Sequence, residues 1–349
     1  MYKKFEETLS FDDVLLVPRY SNIISRKEVD TSTLLSLNKK VKIDLPIISA
    51  NMDTITESKM AIAMGKMGGL GVVHRFLSID SQVLEIKKIK KEKLLSAAAV
   101  GVKNGEIERA HALVKAGVDI LVLDIAHGHS KYAIEKVKYF KKNFKNIFII
   151  AGNVATAEGF MDLAKAGADA VKVGIGAGSI CTTRIVTGFG IPQISAILNC
   201  APIAQKLGIG LISDGGAKSS GDIVKAIAAG ADAVMIGNIL SGTDETPGKL
   251  ITIGGKKYKQ YHGMASLQAN LIRPDKKNNQ DEIIEEGVSG IVPYKGKVED
   301  VVKKIIGGLR SGLSYAGSKN LSELKKNTSF VRITPSGLRE SNWHDIILR

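Results

Sequence analysis

A glycine-rich stretch with a single cysteine, GIGAGSICTTR at 174–184, contains the residue types that nucleophilic catalysis needs. Its three glycines permit a tight backbone whose N–H groups can approach an anion. Ser179 adds a hydroxyl donor, and Cys181 supplies a thiol that becomes a strong nucleophile as the thiolate. Nearby N–H dipoles and Arg184 favour that thiolate. The stretch therefore predicts a phosphate cradle, a loop that carries a nucleophile, or both.

The chain has two cysteines, and their sequence contexts differ. The usual alternative for a lone cysteine is a buried structural role. Cys200 fits that alternative because it lies in an apolar stretch typical of a helix, ISAILNCAPIA. Cys181 has small and polar neighbours, so we interpret it as the nucleophile.

Two further glycine-rich stretches, ISDGGAKSSGD at 212–222 and MIGNILSG at 235–242, follow apolar runs. Such loops often hold a phosphate when they follow the last two strands of a barrel. Asp214 suits a pair of ribose hydroxyls, which are donors that need an acceptor. The alternative is a helix cap or a turn, which fits Ser219 and Ser220 better than Asp214. The candidate phosphate donors are Gly215, Gly216, Gly237 and Asn238.

The stretch LDIAHGHS at 123–130 places Asp124, His127 and His129 after another apolar run. A metal site is conceivable there, but no further ligands occur at a useful spacing. The alternative is a capped turn. Asp124 also suits the hydroxyls of a second substrate.

These candidates follow short apolar runs that recur along the chain and predict parallel strands. The runs are mostly apolar throughout, as expected for strands that are covered on both faces. Most lie about 23–28 residues apart, which fits a strand, a loop and a crossover helix. The predicted strands are 46–50, 70–74, 96–101, 119–124, 147–152, 169–174, 210–216 and 232–237, and the predicted helices are 56–67, 79–91, 105–116, 131–143, 157–166, 193–206 and 219–229.

A local repeat supports this organisation. The segments KAGVDILVLD (115–124), KAGADAVKVG (165–174) and AAGADAVMIG (228–237) each combine a helix-ending glycine, an aspartate and a buried strand. Eight such units favour a (β/α)8 TIM barrel over an open doubly wound sheet. We therefore predict one catalytic domain over 1–349. A lid or disordered linker is expected over 241–298, before a final helix at 298–317.

Composition limits the classes of function. The 349 residues carry a net charge of +14, which suits either a nucleic-acid binder or a lysine-rich surface around an enzyme for anionic ligands. Aromatic residues are only 5%, and no stacking platform for bases is visible, so we favour the enzyme and expect no nucleic-acid partner. No apolar run is long enough for a membrane span, and the N-terminal residues lack a signal-peptide pattern. We expect a cytoplasmic protein.

Seven motifs together resemble one family, the IMP dehydrogenases and GMP reductases, over nearly the whole chain. The match in the cysteine stretch is the most specific, with one departure at Ala177, where the family usually has proline. The matching motifs are LSFDDVLLVPR (9–19), ISANMDTITE (48–57), AGNVAT (151–156), KVGIGAGSICTTR (172–184), SDGGAKSSGD (213–222), YHGMAS (261–266) and FVRITPSGLRES (330–341).

The resemblance implies a role for each matching residue. Cys181 would attack C2 of a purine nucleoside monophosphate, GMP or IMP, with Thr183 and the flap residue Glu286 as its catalytic partners. Asp124 and Asn153 would face a nicotinamide cofactor. The implied substrate-binding residues are Ser179, Asp214, Gly215, Gly216, Gly237, Asn238, Tyr261, Gly263 and Met264, and the implied ligands of a possible monovalent cation such as K⁺ are the carbonyls of Gly174, Gly176 and Cys181.

Two signs favour the reductase within this family. In the dehydrogenases an Arg-Tyr pair on the flap activates water, whereas Lys276 and Lys277 stand at the matching positions. A lysine at its usual pKa is a poor general base and cannot copy the planar guanidinium. The chain also has no room for the tandem CBS module that most dehydrogenases carry. The resemblance thus implies GMP reductase with NADPH and a homotetramer; the alternative is IMP dehydrogenase with NAD.

Overall fold

The β-branched apolar runs form strands where the sequence predicts them. The computed structural model describes residues 5–272 and 285–343. Within these residues the strands are β1 (Val14–Leu16), β2 (Thr33–Leu34), β3 (Lys42–Ile43), β4 (Ile47–Ser49), β5 (Leu70–Val73), β6 (Ala97–Val100), β7 (Ile120–Asp124), β8 (Phe148–Val154), β9 (Ala170–Val173), β10 (Gly210–Asp214), β11 (Ala233–Ile236), β12 (Ile251–Ile253), β13 (Lys256–His262), β14 (Ser289–Pro293) and β15 (Phe330–Arg332).

Eight of these strands, β4 to β11, form a closed parallel barrel in chain order. The barrel closes where β11 pairs with β4, with Val234 opposite Ile47 and Ile236 opposite Ser49. All eight correspond to the predicted strands, so the predicted (β/α)8 barrel is confirmed.

A helix follows each barrel strand and covers the outside of the barrel. The helices that do so are α1, α2, α3, α4, α5, α7, α8 and α10, and α10 is the predicted final helix. The described helices are α1 (Ser58–Lys66), α2 (Ile79–Lys91), α3 (Glu106–Lys115), α4 (Lys131–Asn143), α5 (Ala157–Ala166), α6 (Thr183–Thr187), α7 (Gln193–Leu207), α8 (Ser220–Ala228), α9 (Leu267–Ile272), α10 (Val298–Tyr315), α11 (Leu321–Asn327) and α12 (Pro335–Glu340).

Alternate residues of each barrel strand belong to two different cores. In β9, for example, Val171 and Val173 pack with the surrounding helices, whereas Ala170 packs inside the barrel. Leu35, which follows β2, and Ile43 of β3 join the inner core and fill one end of the barrel. The inner core fills the barrel, so a ligand site can form only at its open, carboxyl-terminal end.

The segment 241–298, where a lid or a disordered linker is expected, contains a three-stranded antiparallel sheet that was not predicted. β12 and β13 form a hairpin through Gly254 and Gly255, whose φ angles are +56° and +76°. Two glycines with positive φ fit the two-residue turn that matches strand twist. β14 completes the sheet by pairing with β13. We call this sheet the flap sheet.

The amino-terminal β1 pairs antiparallel with β15 outside the barrel. The link between α2 and β6 is only residues 92–96, so no inserted module lies there, as the sequence predicts. None of the helices within 5–272 and 285–343 is long and apolar enough to cross a membrane.

Candidate active site

The carboxyl ends of the barrel strands surround a cavity of about 920 Å³. Every residue that the family resemblance implies for the site lines this cavity, so residues from seven separate segments meet at one place. They are Asp124, Asn153, Gly174, Gly176, Ser179, Cys181, Thr183, Asp214, Gly215, Gly216, Gly237, Asn238, Tyr261, Gly263, Met264 and Glu286.

The cysteine loop begins at Gly174, directly after β9, with a φ of +148°. A Cβ at this position would lie 1.9 Å from the backbone oxygen of Asp214. Only glycine therefore lets the loop pass so close to the end of β10. The loop then leads to Cys181, which is partly exposed to the cavity.

A chain of hydrogen bonds joins the cysteine to a carboxylate. The Cys181 thiol donates to Thr183 Oγ1 at 3.2 Å, and the Thr183 hydroxyl donates to Glu286 Oε2 at 2.7 Å. Thr183 begins the short helix α6, and Glu286 comes from the segment before β14. A hydroxyl held between a thiol and a carboxylate can relay a proton to or from a group bound at the sulfur.

The backbone fixes this arrangement as well. Cys181 and Gly287 form an isolated antiparallel bridge. The N–H of Thr182 donates to the Glu286 carbonyl at 3.0 Å, and the N–H of Val288 donates to the Ile180 carbonyl at 3.0 Å. The cysteine loop is thus hydrogen-bonded to the segment that leads into the flap sheet.

An ionic cluster of charged side chains lies at the ends of the barrel strands that precede and neighbour the cysteine loop. The ammonium of Lys172 is 2.5 Å from Asp214 Oδ2 and 3.0 Å from Asp124 Oδ1, and it also donates to Asn153 Oδ1. The Asn153 amide donates to Asp214 Oδ2 at 2.9 Å. These side chains come from β7, β8, β9 and β10, whose ends converge at the open end of the barrel.

Charge dominates over burial in this cluster. Burial alone would lower the pKa of Lys172, but Asp214 and Asp124 raise it above its ordinary value. Burial alone would raise the pKa of Asp124, but Lys172 and Arg75 hold it below its ordinary value. Lys172 is therefore a permanent cation at neutral pH and not a general base.

The other side of the cavity presents hydroxyl groups beside glycine backbone. Ser179 Oγ and the Tyr261 hydroxyl are 3.4 Å apart, and a Cβ at Gly237 would lie 3.5 Å from that Tyr261 hydroxyl. Burial raises the pKa of the Tyr261 phenol, so the phenol keeps its proton and remains a donor. Hydroxyl donors beside close backbone suit a bound anion such as a phosphate.

Two of the other sequence candidates have structural roles. Cys200 is fully buried in α7, and burial raises the pKa of its thiol to about 12, so it is the structural cysteine that its sequence context predicts. His129 bonds to Asp162 of α5 at 3.0 Å, and Ser130 caps α4, so this stretch is a capped turn. In the described part of the chain, no group of three His, Cys, Asp or Glu side chains could hold a metal.

The monovalent-cation site at the carbonyls of Gly174, Gly176 and Cys181 stays a prediction. The Gly174 carbonyl accepts a hydrogen bond from the Asn153 amide at 2.8 Å, so one of its two lone pairs is already engaged. The flap residues Lys276 and Lys277 lie outside the described residues.

Lys172, at the centre of the ionic cluster, is not among the site residues predicted from the sequence. The sequence does contain a signal that could have identified Lys172 as a site residue. Lys172 is the one charged residue of β9 and lies between two outward-facing valines, so its side chain points into the barrel. The cavity also extends past Asp124 to Arg75 and Lys103, which are likewise absent from the predicted set.

Comparison with known proteins identifies the family to which this chain belongs. A family model described as "IMP dehydrogenase / GMP reductase domain" matches residues 8–344. The chain belongs to the IMP dehydrogenase/GMP reductase family. Members of this family are oxidoreductases that use a nicotinamide cofactor.

Relatives within the IMP dehydrogenase/GMP reductase family carry both activities in their names. Inosine-5′-monophosphate dehydrogenase of Cryptosporidium parvum is 44% identical over 392 residues, covering 99% of this chain and 96% of that protein. GMP reductase of Leishmania donovani is 36% identical over 480 residues, covering 97% of each. The crystal structure of a cysteine-to-alanine variant of GMP reductase from Trypanosoma brucei, in complex with guanosine 5′-monophosphate, superposes with a TM-score of 0.93 at 35% identity and covers 98% of this chain and 99% of that one.

The length of these relatives does not separate the two activities. The dehydrogenase of C. parvum aligns over 392 residues and the reductase of L. donovani over 480. A short link between α2 and β6 is therefore compatible with either reaction. The choice between the two reactions depends on the residues of the active site.

Proposed function

We propose that this protein is a GMP reductase, which converts GMP, NADPH and a proton into IMP, ammonia and NADP⁺. The observation that carries the proposal is the hydrogen-bonded chain from Cys181 through Thr183 to Glu286 at the cavity. Expulsion of ammonia from a purine needs a nucleophile and a proton donor for the leaving amine, and this chain offers both. The crystal structure of the T. brucei reductase with guanosine 5′-monophosphate supports a purine nucleotide as substrate.

The nucleotide would bind across the mouth of the barrel, with its phosphate on the side of the hydroxyl donors. The Ser179 and Tyr261 hydroxyls would each donate to a phosphate oxygen. The backbone and side-chain amides assigned to the same phosphate are those of Gly215, Gly216, Gly237 and Asn238, all of which line the cavity.

The ribose and the base would extend from that phosphate toward the cysteine. The ribose is assigned to the Asp214 carboxylate, which is an acceptor for the two hydroxyls. The base would meet Gly263 and Met264 and present its C2 to Cys181. The location of all four residues in the lining of one cavity supports these roles.

The reaction would proceed in two steps through a covalent bond to sulfur. Cys181 loses its proton and attacks C2, the bond between sulfur and C2 forms, and the bond between C2 and the amino group breaks. Glu286, through Thr183, returns a proton to the amine, which leaves as ammonia. Asp124 and Asn153 would hold a reduced nicotinamide that would provide the hydride for C2. The bond between C2 and sulfur then breaks, the electron pair returns to Cys181, and IMP is released.

The flap sequence is the reason to prefer this reaction over IMP dehydrogenation. Hydrolysis of the covalent intermediate requires an activated water. Lys276 and Lys277, which lie outside the described residues, replace the Arg-Tyr pair that fills this role in dehydrogenases. Without a base for water, the covalent intermediate can turn over only by reduction at C2, which is the reductase reaction.

The cofactor would occupy the part of the cavity beyond the ionic cluster. Asp124 and Asn153 would face its nicotinamide, and the cavity continues to Arg75 and Lys103, whose charges suit its phosphates. We propose NADPH, with NAD for the dehydrogenase alternative. A cytoplasmic homotetramer, with a K⁺ at the carbonyls of the cysteine loop, is part of the same proposal.

IMP dehydrogenase is the second candidate, because the C. parvum dehydrogenase shares 44% of its residues with this chain. Two assays separate the candidates: loss of nicotinamide absorbance with GMP and NADPH, and its gain with IMP and NAD⁺. Activity in the first assay alone is expected. Activity in the second assay alone would reject the reductase.

A double variant tests directly whether the flap lacks the base that a dehydrogenase needs. Lys276→Arg combined with Lys277→Tyr should create or increase dehydrogenase activity if the wild type lacks a base for water. Lys256→Arg combined with Lys257→Tyr, on the exposed β13 hairpin, is the matched control and should change neither assay. Equal dehydrogenase activity in the wild type and the Lys276/Lys277 variant would contradict the argument from the flap.

A further inference from the structure

We infer that Lys172 is a positioning residue that holds the carboxylates of the ribose acceptor Asp214 and the cofactor-facing Asp124 side by side, and so joins the nucleotide and cofactor subsites. The inference rests on the proposed function and deepens it. Without a cation between them, the two carboxylates would repel each other at the open end of the barrel.

The geometry shields the lysine of this group from water. The Lys172 side chain is 3% exposed, and those of Asp124 and Asp214 are 18% and 21% exposed. All three lie two positions after an inner-core residue of the same strand and so point inward from the strand ends. Those inner-core residues are Val122 in β7, Ala170 in β9 and Ile212 in β10. The ammonium is therefore poorly hydrated and relies on the two carboxylates, which themselves open onto the cavity.

The charges of the cluster explain why the lysine is needed. Asp124 and Asp214 each have an oxygen within 3.0 Å of the same Nζ, so these two oxygens are no more than about 6 Å apart. With Lys172 between them, both carboxylates are held by the same ammonium. Without it, the two carboxylates would face each other with no cation between them, and their repulsion would displace one of them.

Removal of Lys172 would disturb Asp214 more than Asp124. Asp124 keeps the favourable charge of Arg75 and a hydrogen bond from Asn51, whereas Asp214 is left with the neutral amide of Asn153. Asp214 is the proposed acceptor for the ribose hydroxyls. Removing the lysine charge should therefore weaken nucleotide binding even though Lys172 is not assigned to the nucleotide.

The test uses calorimetric titration of the full-length protein with GMP, without cofactor. Lys172→Met, which keeps an unbranched side chain of nearly the same length without the charge, should raise the Kd for GMP about tenfold or more. Lys172→Arg should recover much of that affinity. The double variant Lys172→Met/Asp124→Asn should bind GMP within about threefold of the wild type, because the competing charge is gone.

The rescue by Asp124→Asn separates charge balance from a packing role, which that change would not repair. GMP binding by Lys172→Met at wild-type affinity, or a double variant as weak as Lys172→Met, would overturn the inference. If Lys172→Met does not fold, as judged by thermal melting, Lys172→Gln takes its place in the same comparison. A wild type that binds neither GMP nor IMP would instead reject the proposed function.

Discussion

The Thr183 hydroxyl donates a 2.7 Å hydrogen bond to the Glu286 carboxylate, although 103 positions separate the two residues in the chain. The bond joins the cysteine loop to the segment before β14. Thr183 contacts Cys181 within the same loop, whereas Glu286 reaches it only through the placement of the segment before β14. The catalytic chain is therefore assembled from two parts of the fold.

Removing the Thr183 hydroxyl should slow the step in which ammonia leaves. Thr183→Ala is expected to lower kcat for GMP about 10²- to 10⁴-fold, with a much smaller change in the Kd for GMP. Thr183→Ser keeps the hydroxyl and is the matched control. Steady-state oxidation of NADPH measures the effect, and a Thr183→Ala variant with wild-type kcat would contradict the role of the relay.

The two cysteines should differ in reactivity toward a thiol reagent. Cys181 is partly exposed, whereas Cys200 is fully buried and burial raises the pKa of its thiol to about 12. Iodoacetamide at about pH 8, near the usual thiol pKa, should modify Cys181 alone in the native protein, and both thiols in urea. Peptide mass spectrometry identifies the modified residue. Native modification of Cys200 would show that α7 opens far more readily than the packing indicates.

The buried pair His262–Asp53 should stabilise the junction of the flap sheet and the barrel. Nε2 of His262 lies 2.8 Å from Asp53 Oδ2, and both side chains are less than a tenth exposed. His262→Ala leaves the carboxylate buried without this partner, which should cost about 1–3 kcal/mol in the free energy of unfolding. Urea denaturation measures the loss.

An exposed pair provides the control for that measurement. Lys303 and Glu299 are 2.8 Å apart on α10, and both side chains are more than half exposed. Solvent screens such a pair, so Lys303→Ala should leave the free energy of unfolding nearly unchanged. Equal losses for Lys303→Ala and His262→Ala would contradict the importance of burial.

Glu85 of α2 should make stability depend on pH. Its carboxylate accepts from the Ser58 N–H at 2.7 Å, where α1 begins, and from Lys88 at 2.5 Å. Burial alone would raise the pKa of Glu85, but Lys88 and Ser58 hold it below its usual value of 4.5. A lowered folded-state pKa means that the stabilisation is complete above the usual value and is lost as the pH falls through the folded-state value.

Glu85→Gln should therefore destabilise the protein by about 1–2 kcal/mol near neutral pH. The difference between the variant and the wild type should shrink as the pH falls below 4.5 and through the lowered folded-state pKa of Glu85. Urea titrations across this range measure both effects. A difference that does not change with pH would show that the carboxylate charge is not what Ser58 and Lys88 require.

The barrel could be predicted from the sequence because its signals are local. Each barrel strand is an apolar run, and glycines such as Gly167 end helices in the left-handed conformation that glycine favours. The cysteine loop could be placed at the open end because loops after parallel strands share one edge. The grouping of the predicted residues at one cavity follows from that topology.

The features that could not be predicted from the sequence depend on contacts between distant segments. The flap hairpin had a local signal in Gly254–Gly255, but its charged strands resemble a linker. The central position of Lys172 depends on three other strands that converge on it. The partnership of Thr183 with Glu286 depends on the path of the flap segment, which no local pattern specifies.

Closure of the barrel through β11 and β4 also bears on how the chain folds. The barrel closes only when β11, the last of the eight strands, pairs with β4, the first, and places Val234 opposite Ile47. Such distant pairing makes folding slow. Until β11 is in place, β4 and β10 remain open strand edges that can pair with another chain. The nascent chain therefore carries two unpaired strand edges until residues 233–236 have left the ribosome.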